Sequence, residues 1–201
     1  MKNKMTLISL ISVFALPPLL AYLLYFTNTI PGSRSNNGHL INPIVDLSEF
    51  PMQSDLQLNK LIDDFKGKWT MFMLINKPCQ SFCQNNIYLM RQVFRVLGKN
   101  NSNVKRVVLI ANVSNLPESE NIFINYPKMS VVKANQSSID HFINPFKNIV
   151  SDIYQRIFII DPYGRVILYY PVNFKPDDLL SDLKRLVVIN NNSKQFNRGF
   201  F

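Results

Sequence analysis

Residues 5–33 contain no charged side chain, and within that run residues 7–26 hold a dozen Leu, Ile, Val or Phe. A stretch of about 20 apolar residues matches the hydrocarbon thickness of a bilayer. At roughly −0.3 to −0.6 kcal/mol for each of those side chains, insertion gains about −4 to −7 kcal/mol, before the cost of Pro17, Pro18 and a few polar groups. The run therefore reads as one N-terminal transmembrane helix over residues 1–28, kinked at the prolines. A cleaved signal peptide is the competing reading, because Lys2 and Lys4 suit either. The run is longer than a signal's apolar region and no small-x-small site follows it, which favours an uncleaved anchor. Lys2 and Lys4 then keep the N-terminus cytoplasmic and send everything after Phe26 across, where disulfides persist.

The 201 residues allow one ordinary domain beside that anchor, not two. Lys and Arg number 22 against 13 Asp and Glu, a net charge of +9, yet the basic residues are scattered and no nucleic-acid motif surrounds them. Nucleic acid is excluded as a partner on that ground. Attraction to anionic lipid head groups suits a tethered domain better.

Residues 29–54 are rich in Pro, Gly, Ser and Asn without a sustained period, and read as an extended linker. Beyond it, residues 55–190 alternate short apolar runs with amphipathic stretches. Residues 69–75 (WTMFMLI) and 104–111 (VKRVVLIA) read as strands, and residues 85–97 (NNIYLMRQVFRVL) as a helix with Ile87, Met90, Phe94 and Leu97 on one face. That order predicts a right-handed parallel unit. A strand near 129–132 and a short helix near 137–143 are expected in the less regular stretch that follows. Residues 156–160 and 165–170 flank Asp161-Pro162-Tyr163-Gly164, a turn in which Pro presets one angle and Gly supplies a positive φ, so they predict a β-hairpin. Residues 175–189 form a closing helix with Asp177 and Asp178 in the first turn, and residues 191–201 a flexible tail. Strand, helix, strand, hairpin and helix in that order give an α/β thioredoxin-like domain.

Cys79 and Cys83, which are all the cysteines, lie between the first strand and the first helix of that unit. A helix opening near Ser81 would aim its free N–H groups and dipole at them, favouring the thiolate that metal binding and disulfide exchange both require. Three intervening residues place the sulfurs on one face of a first helical turn, so a disulfide and a soft-metal clip are both open. An inert bridge is the bland alternative, but so short a loop restrains little chain entropy.

Gly67-Lys68-Trp69-Thr70, the Cys-x-x-x-Cys of Cys79 and Cys83, and Ile160-Asp161-Pro162-Tyr163-Gly164-Arg165 resemble the Sco/SenC family of cytochrome oxidase assembly proteins. The similarity extends over about residues 65–187. Phe14 to Tyr22 (FALPPLLAY), Ile87 to Val93 (IYLMRQV) and Leu179 to Leu186 (LLSDLKRL) look closest to a small proteobacterial branch of Sco-like transmembrane proteins. The resemblance implies a thioredoxin fold in the periplasm, held by a single-pass anchor in the bacterial inner membrane. It also implies copper as cargo or cofactor, with a cytochrome oxidase subunit or another assembly factor as partner. Members of the family place a histidine shortly before the first hairpin strand to complete a Cys2His copper site, whereas residues 152–155 here are Asp, Ile, Tyr and Gln. They also carry Pro where this chain has Gln80. His141, ten or so residues upstream, is the remaining candidate for a third ligand beside Cys79 and Cys83. His39 falls in the linker and reads as solvated. Without a third ligand Cu(II) is poorly served, while Cu(I) suits two thiolates. Met71 and Met73 share a strand face and read as core.

Three functions follow as expectations. The first is a membrane-anchored assembly factor that handles Cu(I), or reduces the cysteines of an oxidase copper site, through Cys79 and Cys83. The second is a general thiol-disulfide oxidoreductase in which one cysteine attacks and the other resolves. The third is a non-catalytic scaffold.

Overall fold

The structure, a computed structural model, describes residues 2–27, 36–49, 56–111 and 122–198. The chain divides into two compact units, residues 1–36 and 37–201.

In the first unit, α1 (Lys2–Phe26) is a continuous helix of 25 residues with Pro17 and Pro18 inside it. Its large apolar side chains, among them Leu7, Phe14, Leu19 and Phe26, are exposed. Among the described residues no helix is long and apolar enough to cross a membrane.

Among the described residues the second unit is built on six strands, β1 (His39–Asp46), β2 (Trp69–Ile75), β3 (Val104–Ala111), β4 (Ser130–Ala134), β5 (Ile157–Ile160) and β6 (Arg165–Tyr170), in the order β1-β6-β5-β2-β3-β4. At its centre, β2 (Trp69–Ile75) is buried at every residue, as expected for an apolar run covered on both faces. It pairs in parallel with β3 (Val104–Ala111), which pairs in parallel with β4 (Ser130–Ala134). On its other side it pairs antiparallel with β5 (Ile157–Ile160), and β6 (Arg165–Tyr170) closes the hairpin. The turn works as its residues predict. Gly164 has φ 91°, and the Asp161 carboxylate accepts from Tyr163 N at 2.9 Å and Arg165 N at 3.0 Å.

Alternation along β2 splits the core in two. Phe72 and Leu74 face one layer, with α2 (Leu56–Phe65) and α4 (Gln136–Ile143). Trp69, Met71, Met73 and Ile75 face the other, under α3 (Ser81–Val96) and α5 (Pro176–Arg198).

Among the boundaries that differ from the sequence reading, two change the architecture. Residues 39–46, read as linker, form β1 (His39–Asp46), an edge strand antiparallel to β6 that buries Ile41 and Val45. Pro43 lacks an N–H and the register shifts between Leu40 and Val45, so no period of two survives in the sequence, while an edge position tolerates both features. The backbone of α5 is helical through residues read as tail, as far as Arg198, and no Pro or Gly interrupts that stretch after Pro176. Residues 29–35 and 50–54 of the expected linker, and residues 199–201, lie outside the described residues.

Candidate redox and metal site

The cysteine pair sits where β2 hands over to α3. Five residues after Ile75 the backbone turns extended at Gln80 (φ −85°, ψ −169°) and the helix opens at Ser81. Cys79 therefore precedes the helix and Cys83 lies in its first turn, with Cα atoms 5.1 Å apart and the sulfurs joined as a disulfide. Cys83 is 1% exposed and Cys79 6%, so both are buried, Cys79 the less completely. No side chain caps α3 and no acidic residue stands in its first turn. When the bond is reduced, the unpaired N–H groups there stabilise a thiolate with no carboxylate on that turn to oppose it. The Gln84 amide donates to Cys79 O at 3.0 Å and holds the approach loop against the helix.

A second segment meets this one. Gln155 adopts φ 58°, its N–H donates to Leu74 O at 2.8 Å, and its carbonyl accepts from Asn86 Nδ2 at 2.7 Å. Asn86 is buried on α3, one turn beyond Cys83. Burial first, then Asp140, pushes the Tyr154 phenol up, and Asn76 opposes that. Sequence reasoning marked residues 152–155 only for lacking histidine. It missed Gln84, Asn86 and Asn76, whose partners are set by folding and carry no local motif.

The other site candidates do not join the pair. His141 is exposed in the last turn of α4, and the buried Ile139 and Phe142 of that helix belong to the layer with Phe72 and Leu74, across the sheet from Cys79 and Cys83. Among the described residues no group of three or more His, Cys, Asp and Glu is placed to hold a metal ion. Nothing in this arrangement brings His141 to the pair as a third ligand. His39 is exposed on β1 and stacks on Tyr169, ring centroids 5.1 Å apart. Met71 and Met73 are fully buried in the layer that holds the cystine, as core residues.

A parallel β2-α3-β3 unit, an antiparallel hairpin, a C-terminal helix and a cystine at the first helix make this a thioredoxin-like domain. Residues 69–190 match the family described as transmembrane-like, thioredoxin-like, C-terminal domain. The chain belongs to that family. Among solved structures it is similar to apo Sco1 from Thermus thermophilus (14% identity, 62% of this chain and 83% of that one, TM-score 0.53). Yeast Sco1 (10%, 63% and 83%, 0.53) and copper-bound ScoI from Arabidopsis thaliana (13%, 63% and 88%, 0.51) are similar as well. At such identities the likeness is one of fold, and at that level the Sco resemblance read in the sequence holds. No curated protein matches the chain.

Proposed function

We propose that the chain is a membrane-anchored Sco-like factor that assists cytochrome oxidase assembly through Cys79 and Cys83, by carrying Cu(I) or by reducing the cysteines of the oxidase copper site. The observation that carries this reading is the cystine at the open N-terminus of α3 in a Sco-like fold. Once reduced, two thiolates suit Cu(I), a soft ion content with few ligands, and the missing histidine makes Cu(II) a poor fit. The copper seen in the Arabidopsis protein supports copper as the cargo. In thiol reduction, one thiolate attacks a partner disulfide and forms a mixed disulfide. The second cysteine resolves it, and the two electrons leave this chain as the cystine.

Anchoring is part of the proposal. The uncharged run over residues 5–33, with a dozen Leu, Ile, Val or Phe between 7 and 26, supports it. Lys2 and Lys4 then orient the domain to the periplasm of a bacterial inner membrane, where a cystine is stable.

A Cu(I) titration of the reduced full-length chain in detergent tests the copper arm. Stoichiometric binding, lost in the Cys79→Ser/Cys83→Ser variant, is expected; equal copper content in the two rejects copper handling. General thiol-disulfide exchange is the second reading, favoured by the bond the cysteines already form.

A further inference from the structure

We propose that Arg91, Arg95 and Arg106 form a binding site for a phosphate group, on the half of α3 away from the cysteines. Arg106 is the unusual member. It reaches from β3 into the layer under α3, is 3% exposed, and lies with its guanidinium 4.3 Å over the Phe94 ring. Its Nη2 donates to Pro127 O at 3.0 Å, and its Nε has no hydrogen-bond partner among the described residues. Those contacts hold the side chain in place, but neither a ring face nor a carbonyl cancels its charge. A buried charge without a counter-ion is costly. The neighbours add to the excess. Arg91 and Arg95 are one turn apart on α3 and flank Phe94, so they stand on the face that covers Arg106. Arg91 lies 5.4 Å over the ring of Tyr126, the residue before the Pro127 that Arg106 binds, which brings its charge to the same corner. Burial first, then Arg91 and Arg95, pull the Arg106 guanidinium below its ordinary range. Among the described residues no carboxylate is paired with any of the three. The helix dipole accounts for Arg95 in the last turn of α3, but not for Arg91 or for Arg106 on a strand. Three guanidiniums without an acid call for an anion. Arg106 is the buried floor, and half-buried Arg91 and exposed Arg95 are the rim. Phosphate suits them better than a carboxylate, because it carries more charge and its oxygens can engage several guanidinium forks at once. A soluble phosphate and a phospholipid headgroup share that chemistry, and the test separates them.

Equilibrium dialysis of the full-length chain in detergent micelles against inorganic phosphate, at constant ionic strength, tests the site. Saturable binding of one phosphate per chain is expected, weakened about tenfold in Arg95→Gln and in Arg91→Gln as each removes a charge-assisted contact. Arg95 is exposed, so its variant keeps the fold even if Arg106→Gln does not. Lys60 is exposed on α2, in the layer across the sheet, and Lys60→Gln removes the same charge while leaving the affinity unchanged. Weakening by Lys60→Gln as large as that by Arg95→Gln would reduce the effect to net charge and overturn the proposal. Affinity unmoved in both arginine variants would seat the phosphate elsewhere, and absence of saturable binding would remove the site; either result also overturns it. Repeating the dialysis with phosphatidylglycerol in the micelles, against phosphatidylcholine as control, identifies the source. Displacement of the bound phosphate by phosphatidylglycerol alone assigns the site to a lipid headgroup, and persistence assigns it to soluble phosphate. The measurement reads nothing at Cys79 and Cys83, so its failure leaves the redox and copper reading standing.

Discussion

Under α2 and α4, β2 presents Phe72 to Phe65, Phe142 and Phe158 with ring centroids 5.5–6.4 Å apart, in a layer dominated by apolar side chains, with Ser138 of α4 a buried polar exception. Under α3 and α5 the same strand presents Met71, Met73 and Ile75 to a layer with polar groups set into it. These are the cystine, Asn86, a buried Arg106 that donates Nη2 to Pro127 O at 3.0 Å and lies 4.3 Å over the Phe94 ring, and Asp182. Asp182 accepts from Tyr170 OH at 2.7 Å, Asn37 N at 2.8 Å and Gly38 N at 2.9 Å, fastening the start of the domain to α5. One layer is built for cohesion and the other for placing chemistry. The contrast teaches that stability and function can be perturbed separately, because the sheet insulates one from the other.

The sharpest way to break that separation is Phe72→Ala. It should cost about 3–5 kcal/mol in urea unfolding through the cavity it opens, while leaving the cystine's reduction potential unmoved. A shifted potential would show that the layers are coupled.

Asp182→Ala comes next, at roughly 2–4 kcal/mol, because two buried donors, Tyr170 OH and Gly38 N, and the part-buried Asn37 N lose one carboxylate. The same cluster makes the polar layer alkali-sensitive. Burial first, then the bond and charge of Asp182, hold the Tyr170 phenol above its ordinary range, so the native state keeps a proton that the unfolded chain releases near pH 10. That stability is present below about pH 10 and is lost as pH rises beyond it. The urea midpoint should therefore fall between about pH 9 and 11, less steeply in Tyr170→Phe. Equal slopes would remove Tyr170 from the account.

Smallest is Gln155→Gly, which relieves a left-handed conformation and should gain up to about 1 kcal/mol. Exchange rates should stay unchanged, since the ties to Gln155 run through its backbone.

Much of the cohesive framework was legible because apolar runs report themselves. Trp69–Ile75 and Val104–Ala111 agree at both ends with the strands observed, and Pro162 and Gly164 announce their turn. Edge strand β1 was not legible, since two core residues around Asn42 and Pro43 leave no pattern to count. The opening of α3 at Ser81 agrees with the helix start weighed for the cysteine pair, although the apolar face reports itself only from residue 85, since Gln80 provides no side-chain cap. Cys79 and Cys83 could be placed from their position after a strand. The contacts that shape their surroundings join residues as far apart as Asn86 and Gln155, and which face of the sheet receives α4, and with it His141, is settled only when the chain packs.

The claim beneath all of this is that Cys79 and Cys83 cycle between dithiol and disulfide instead of forming a permanent bridge. Equilibrating the full-length chain with glutathione redox buffers measures it directly. A potential between about −300 and −180 mV, in the range of exchanging pairs, is the result this account predicts, and one below about −300 mV, where structural disulfides lie, would contradict it.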